Sequence, residues 1–237
     1  MPSTRLVSTA STHEGAVRPR NEDALVNRPD LGLWAVADGA GGHGSGDLAS
    51  NAIAAALNSI PPGLTASELL SQLRLRINAV HREMQEEAER RGPNTLIAST
   101  VVVMLARGGH FACLWAGDSR AYLLRGGHLQ RLTRDHSLVQ ELVDQGTITE
   151  DEAANHPQGN VITRAVGAPG ELGLDKATGP IGAGDRFLLC CDGLYRTLDE
   201  VTMAELLLGA EPAENLVRVA VEHGARDNVT AVTVAAD

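Results

Sequence analysis

The sequence predicts an α+β fold in which antiparallel sheets are layered against a pair of long helices. Apolar runs of strand length recur along the chain, and two stretches of helical periodicity separate the early runs from the later ones. The links between the later runs are too short for parallel crossovers, so those strands must be antiparallel. Residues 4–10 and 24–28 read as short strands, and residues 32–37 as a continuous apolar strand ending at Asp38. GAGGHGSG, residues 39–46, reads as a flexible loop. Leu48, Ala49, Ala52, Ile53, Ala56 and Leu57 recur at helical spacing, which predicts a helix over 47–59, stopped by Pro61-Pro62-Gly63. Thr65-Ala66-Ser67-Glu68 is a capping box that opens a second helix. Its apolar stripe runs Leu69, Leu73, Ile77, Val80, Met84 and Ala88, and Gly92-Pro93 ends it.

A strand series follows at 99–106, 110–116, 120–125 and 128–132, with Gly108-Gly109 and Gly126-Gly127 as hairpin turns. Residues 136–160 are polar and irregularly helical, and residues 137–160 are expected to form a mobile flap. Residues 186–191 read as a strand, 199–208 and 213–223 as helices, and 228–235 as the last strand. No internal repeat, low-complexity tract or linker interrupts the chain, so residues 1–237 are expected to form one domain.

Composition narrows the function. Hydrophobic residues make up 43% and aromatics only 3%, so the core must be aliphatic. A formal net charge of −10 argues against a nucleic-acid binder or a protein of anionic membranes. Cys113, Cys190 and Cys191 all lie in apolar runs; an odd count with no CxxC pair gives neither a disulfide framework nor a metal knuckle. No apolar run reaches the ~18–20 residues of a membrane span, and the N-terminus lacks a signal-peptide core. The chain is expected in the cytoplasm.

Chemistry is carried by aspartates at strand ends. LWAVA runs into Asp38, CLWAG into Asp118 and FLLCC into Asp192, while Asp227 stands just before VTAVTV. Carboxylates gathered at one sheet edge repel unless cations sit between them, which points to a hard-metal site for Mg²⁺ or Mn²⁺. The glycine-rich loop lacks the GK[ST] of a phosphate loop, and no βαβ unit surrounds it. Its glycines instead let backbone approach a metal, so that the Gly39 carbonyl can serve as a ligand. Arg18, beside Asn21, Glu22 and Asp23, has the planar fork that grips phosphate oxygens. Asp135-His136-Ser137 reads as a helix N-cap with Ser137 as the capping residue. His43, inside the glycine loop, is the one histidine in a position of chemical interest.

Seven motifs occur in order: Arg18-x-x-Asn21-Glu22-Asp23, Asp38-Gly-Ala-Gly-Gly-His43, Gly117-Asp-Ser-Arg120, Asp135-His-Ser137, Ile162-Thr-Arg-Ala-Val-Gly167, Leu189-Cys-Cys-Asp-Gly-Leu194 and Asp227-Asn-Val-Thr230. Together they resemble the metal-dependent protein Ser/Thr phosphatases of the 2C type, in the compact bacterial form, from about residue 8 to 235. The resemblance implies a four-layer αββα sandwich with the metals at one end. It implies two, and with a weaker site three, Mn²⁺ or Mg²⁺ ions. Asp38 would bridge the first two, the Gly39 carbonyl would bind the first, and Asp192 and Asp227 the second. Glu22 and Asp23 would hold metal-bound waters, Asp118 with Asp192 would support the third ion, and Arg18 would grip phosphate. Two departures stand out: Ala40 occupies a position where some members carry a histidine proposed as general acid, and Cys191 replaces the more usual Ser.

The resemblance implies hydrolysis of phosphoserine and phosphothreonine by in-line attack of a hydroxide bridging the two ions, with Arg18, Asp38 and Asp192 at the chemistry. Its partners would be phosphorylated proteins and a cognate Ser/Thr kinase in bacterial signalling, with the chain acting as a monomer. Two other readings stay open: a catalytically weak regulatory module that keeps the fold and binds a partner, and an enzyme for nucleotides or small phosphoesters.

Overall fold

The computed structural model describes residues 5–41 and 45–237. The chain opens with β1 (Leu6–His13), β2 (Asp23–Arg28) and β3 (Leu33–Gly41), followed by α1 (Gly46–Asn58) and α2 (Ala66–Arg91). Then come β4 (Ile97–Ser99), β5 (Val101–Arg107), β6 (His110–Ala116), β7 (Arg120–Arg125) and β8 (His128–Arg131). The flap holds α3 (Leu138–Asp144) and α4 (Glu150–Ala154). The chain closes with β9 (Asp175–Pro180), β10 (Arg186–Cys190), α5 (Asp192–Tyr195), α6 (Glu200–Leu207), α7 (Pro212–Glu222) and β11 (Val229–Ala236).

Two antiparallel sheets result. One has the order β1-β11-β10-β7-β8; the other runs β2-β3-β5-β6-β9, with β4 paired to the end of β3. Strand alternation explains how they stack. Trp34, Val36, Val102 and Met104 from the second sheet meet Leu123, Phe187, Leu189 and Val232 from the first in one central core. The alternate residues of the same strands, Leu33, Ala35, Val101 and Val103, face outward and are covered by α1 and α2 through Ile53, Leu57, Leu73 and Ile77. On the other side Tyr122, Leu124, Leu188 and Ala231 pack under α5, α6 and α7 through Leu194, Met203 and Leu216. Helix, sheet, sheet and helix therefore form the αββα sandwich, and burial on both faces is why these strands read as unbroken apolar runs rather than alternating ones.

The caps behave as the sequence requires. Thr65 and Glu68 bond each other's backbone N–H at the start of α2, and Ser137 accepts from the Gln140 N–H at the start of α3. Three sequence readings need correction. The strands at 99–132 are not one meander: β5-β6 and β7-β8 are hairpins in different sheets, and the chain crosses between sheets at Gly117-Asp118-Ser119. The strand expected to end at Asp38 continues to Gly41, because Gly39, Ala40 and Gly41 pair with β4. Strand β9, with the polar sequence DKATGP, carries no apolar signal; it lies on the edge and is held by backbone pairing to β6.

Phe187 is buried between the sheets and meets the Phe111 ring edge-on at 5.1 Å. Phe187→Ala is expected to lower unfolding free energy by ~3–5 kcal/mol in a urea titration of the metal-free protein, against about 1 kcal/mol for Thr65→Ala at the exposed cap. Equal losses for the two variants would contradict the central core described here.

Candidate metal centre

One end of the sandwich gathers strand termini from both sheets. In the β2-β3 pair, Asp23 stands directly opposite Asp38. The backbone of Asp38 is held by Thr100, whose N–H donates to the Asp38 carbonyl at 2.9 Å and whose Oγ1 accepts from the Asp38 N–H at 3.2 Å. From the other sheet, β10 ends at Cys190 and the chain turns into α5 at Asp192, while Asp227 and Asn228 lead into β11. Asp118 lies in the crossing segment between β6 and β7. A cleft of about 610 Å³ is lined by Arg18, Glu22, Asp38, Gly39, Asp118, Asp192 and Asp227, among others. Asp23 is buried close to Asp38, with one ligand atom of each lying within 4.8 Å of the other. The structure thus brings together every site residue expected from the sequence except His43, which lies outside the described residues.

Close backbone approach gives the cleft its floor. Gly39 packs against the first turn of α1; a Cβ on Gly46 would sit 2.7 Å from both the Gly39 carbonyl and Glu22 Oε2. On the opposite wall a Cβ on Gly193 would run into the Asn228 carbonyl, so only glycine lets α5 reach β11. Asn228 is the clamp that sequence reasoning left without a role. Its Oδ1 accepts from the Glu22 N–H at 2.8 Å, and its Nδ2 donates to the carbonyls of Glu14 and Arg20 at 3.0 and 2.9 Å. Thr230 donates to Asp23 Oδ2 at 2.6 Å.

The electrostatics are those of an acidic pit. Like charges placed directly opposite on paired strands repel, and here burial adds to the effect. Burial, then Asp23 and the neighbouring aspartates, push Asp38 well above the usual carboxylate range. Burial also pushes Asp23 and Asp118 to about 7 and raises Asp192. Arginines supply part of the counter-charge. Arg18 Nε and Nη2 clasp both oxygens of Asp227 at 2.8 and 2.7 Å. Arg196 Nε lies 3.0 Å from Asp192 Oδ2 and its Nη2 3.7 Å from Asp118 Oδ2. Arg120 is committed elsewhere: it is bidentate to Asp135 and lies over the Tyr195 ring at 3.6 Å.

The donor set fits hard divalent cations. It consists of carboxylate oxygens and a backbone carbonyl, and the buried Asp23 Oδ1 has no hydrogen-bond partner among the described residues. Cys191 also lies beside Asp23 and Asp38, but its sulfur is engaged by the backbone, donating to the Asn228 carbonyl at 3.3 Å and accepting from the Thr230 N–H at 3.1 Å.

The sequence model of the family described as Protein phosphatase 2C matches residues 12–225. The chain belongs to this family. It is 35% identical over 237 residues to the serine/threonine phosphatase stp of Listeria monocytogenes, covering 95% of this chain and 94% of that protein. It is 36% identical over 226 residues to the serine/threonine protein phosphatase PstP of Mycobacterium tuberculosis; that match covers 94% of this chain but only 43% of PstP. The structure of PppA, described as a key regulatory component of T6SS in Pseudomonas aeruginosa, superimposes with a TM-score of 0.92 at 41% identity, covering 99% of each chain. The PstP catalytic domain in complex with two manganese ions superimposes with a TM-score of 0.81 at 34% identity, covering 97% of each chain.

Among the described residues no helix is long and apolar enough to cross a membrane. Arg196 and Tyr195, whose hydroxyl donates to the Asp118 carbonyl at 3.0 Å, were not foreseen as site residues. The i,i+4 spacing of Asp192 and Arg196 is the signal that could have found the arginine.

A pH dependence follows from the raised carboxylates. Between the ordinary value of 3.8 and about 7 the folded protein holds protons on Asp23 and Asp118 that the unfolded chain has released. Their contribution is therefore fully present at low pH and lost as pH rises through about 7. The EDTA-treated protein is expected to melt at a higher temperature near pH 6 than near pH 8, with a smaller difference in Asp38→Asn. A lower melting temperature near pH 6 would contradict the crowding described here.

Proposed function

We propose that this chain is a metal-dependent protein phosphatase that hydrolyses phosphoserine and phosphothreonine with two divalent ions, Mn²⁺ or Mg²⁺. The observation that carries the reading is the convergence of Glu22, Asp38, Asp192 and Asp227 on one cleft, with Asp23 buried opposite Asp38 and its Oδ1 without a hydrogen-bond partner among the described residues. Family membership and a relative solved with two manganese ions support it. Asp38, Asp192, Asp227 and the Gly39 carbonyl would hold the ions, and Glu22 and Asp23 the water around them. Bound divalent ions supply the positive charge that lowers the pKa of water and neutralises phosphoryl oxygens.

The chain's own residues then divide the work. Asp38 orients the centre because Thr100 and Ser99 hold its backbone from two sides. Arg18 binds the phosphoryl group through its planar fork. It must leave Asp227 to do so, and with 55% and 42% of the two side chains exposed, that ion pair is worth no more than about 1 kcal/mol. Ala40 offers no proton, and among the described residues no histidine lines the cleft; water there would be the proton source for the leaving oxygen. The substrate would be a phosphoprotein, phosphorylated by a Ser/Thr kinase whose action this chain reverses. We assign residues 1–237 to one catalytic domain acting as a monomer in the cytoplasm. A silent binding module has no use for so many crowded carboxylates, and among the described residues no aromatic side chain lines the cleft to stack a nucleotide base.

Phosphate release from a phosphothreonine peptide is expected with Mn²⁺, to vanish with EDTA, and to fall by at least ~100-fold in Asp192→Ala or Asp38→Asn. Thiol alkylation of the folded protein should leave the rate unchanged, because all three cysteines are buried. No release with any divalent ion, from protein that binds Mn²⁺, would overturn the assignment.

A further inference from the structure

Asp118 presents an electrostatic problem that the catalytic reading leaves unsolved. Its side chain is almost fully buried, at 4% exposure, and faces both Asp192 and Asp135. An unpaired charge in such a place is costly. Asp135 is already satisfied by Arg120, whose fork is spent on both of its oxygens. Among the described residues, Arg196 is the one cation within ion-pair distance of Asp118. Its guanidinium also meets Asp192 at 3.0 Å. The same group reaches across to the flap: Nη2 donates to the Gly159 carbonyl at 2.9 Å and Nη1 to Asn160 Oδ1. The position is not accidental. Arg196 follows Asp192 by one helical turn, and Tyr195 anchors α5 by donating to the Asp118 carbonyl beneath the stacked Arg120.

From this geometry we infer that Arg196 is the resident counter-cation of the Asp118–Asp192 pair, standing where the resemblance places a third, weaker metal ion, and that it ties the end of the flap to that pair. The inference rests on the two-metal reading above and separates Asp118 from it. A guanidinium is permanently charged and weakly hydrated, so it sits in a partly dry site more readily than Mg²⁺ or Mn²⁺, which give up water reluctantly. A further divalent ion would have to displace a charge of its own sign and break two hydrogen bonds to the flap. Asp118 therefore acts through Arg196 as a positioning residue for flap residues 159 and 160, rather than as a metal ligand.

The test counts ions and watches the flap without relying on turnover. Mn²⁺ binding is followed by the electron paramagnetic resonance signal of the free ion, for the wild-type chain, Arg196→Ala and Arg196→Lys. Hydrogen exchange is measured in parallel across residues 146–162. The wild-type protein is expected to take up two ions and no further weak class. Arg196→Ala is expected to gain a third, weak class and to exchange its flap amides at least about tenfold faster, the loss expected for charge-assisted hydrogen bonds. Arg196→Lys keeps the charge but not the fork; it is expected to keep two ions while its flap loosens, and it serves as the readout if the alanine variant does not fold. Three ions in the wild-type protein, or unchanged stoichiometry and unchanged flap exchange in both variants, would overturn the inference. Absence of any Mn²⁺ binding in the wild-type protein would instead overturn the phosphatase reading itself, and this one with it.

Discussion

The structure is organised around the repulsion of carboxylates forced together at one end of a β-sandwich. Asp23 and Asp38 face each other across a strand pair, and Asp118, Asp192 and Asp227 arrive from the crossing segment and the second sheet. Nothing about folding alone recommends this arrangement. Like charges opposite each other destabilise a sheet, and burial raises their cost. The three hydrophobic layers must supply enough stability to hold the aspartates where they do not want to be, and cations must supply the rest. Raised carboxylates in a cleft are a common mark of a functional site because the strain has no other use.

Counter-charge comes in two forms that do different jobs. Arg18 and Asp227 form an exposed pair that yields easily, as a group that must exchange one anion for another should. Arg196 is held from several sides, by Asp192, Asp118 and the flap backbone, and is built to stay. In the Asp23–Asp38 region, by contrast, a buried carboxylate oxygen has no hydrogen-bond partner among the described residues. On the two proposals made above, that difference in counter-ion, rather than a difference in the carboxylates, would divide the pit into a place for metal and a place already filled.

Much of this was legible in the sequence, for reasons that can be named. Strands buried on both faces leave unbroken apolar runs, so β3, β5, β6, β10 and β11 and the aspartates at their ends stood out. The capping box of α2 was visible because it depends on four adjacent residues. What escaped depends on tertiary pairing. Edge strand β9 is polar and exists through backbone bonds to β6. The split of residues 99–131 between two sheets turns on a crossing at Gly117, whose φ of +108° and close fit against Thr100 leave no trace in hydrophobic periodicity. The clamp by Asn228 joins segments more than 200 residues apart, and the flap contacts of Arg196 are likewise set only by folding. Residue types alone announce the chemistry, while the partition of charge among those residues appears only once they are folded together.

The most direct test of this account is diffraction from crystals soaked in Mn²⁺, recorded near the manganese absorption edge. The account predicts anomalous peaks beside Asp38, with Asp192 and Asp227 turned toward them, Arg18 released from Asp227, and Arg196 still between Asp118 and Asp192. A soaked crystal with no manganese at Asp38, and with Arg18 still clasping Asp227, would contradict it.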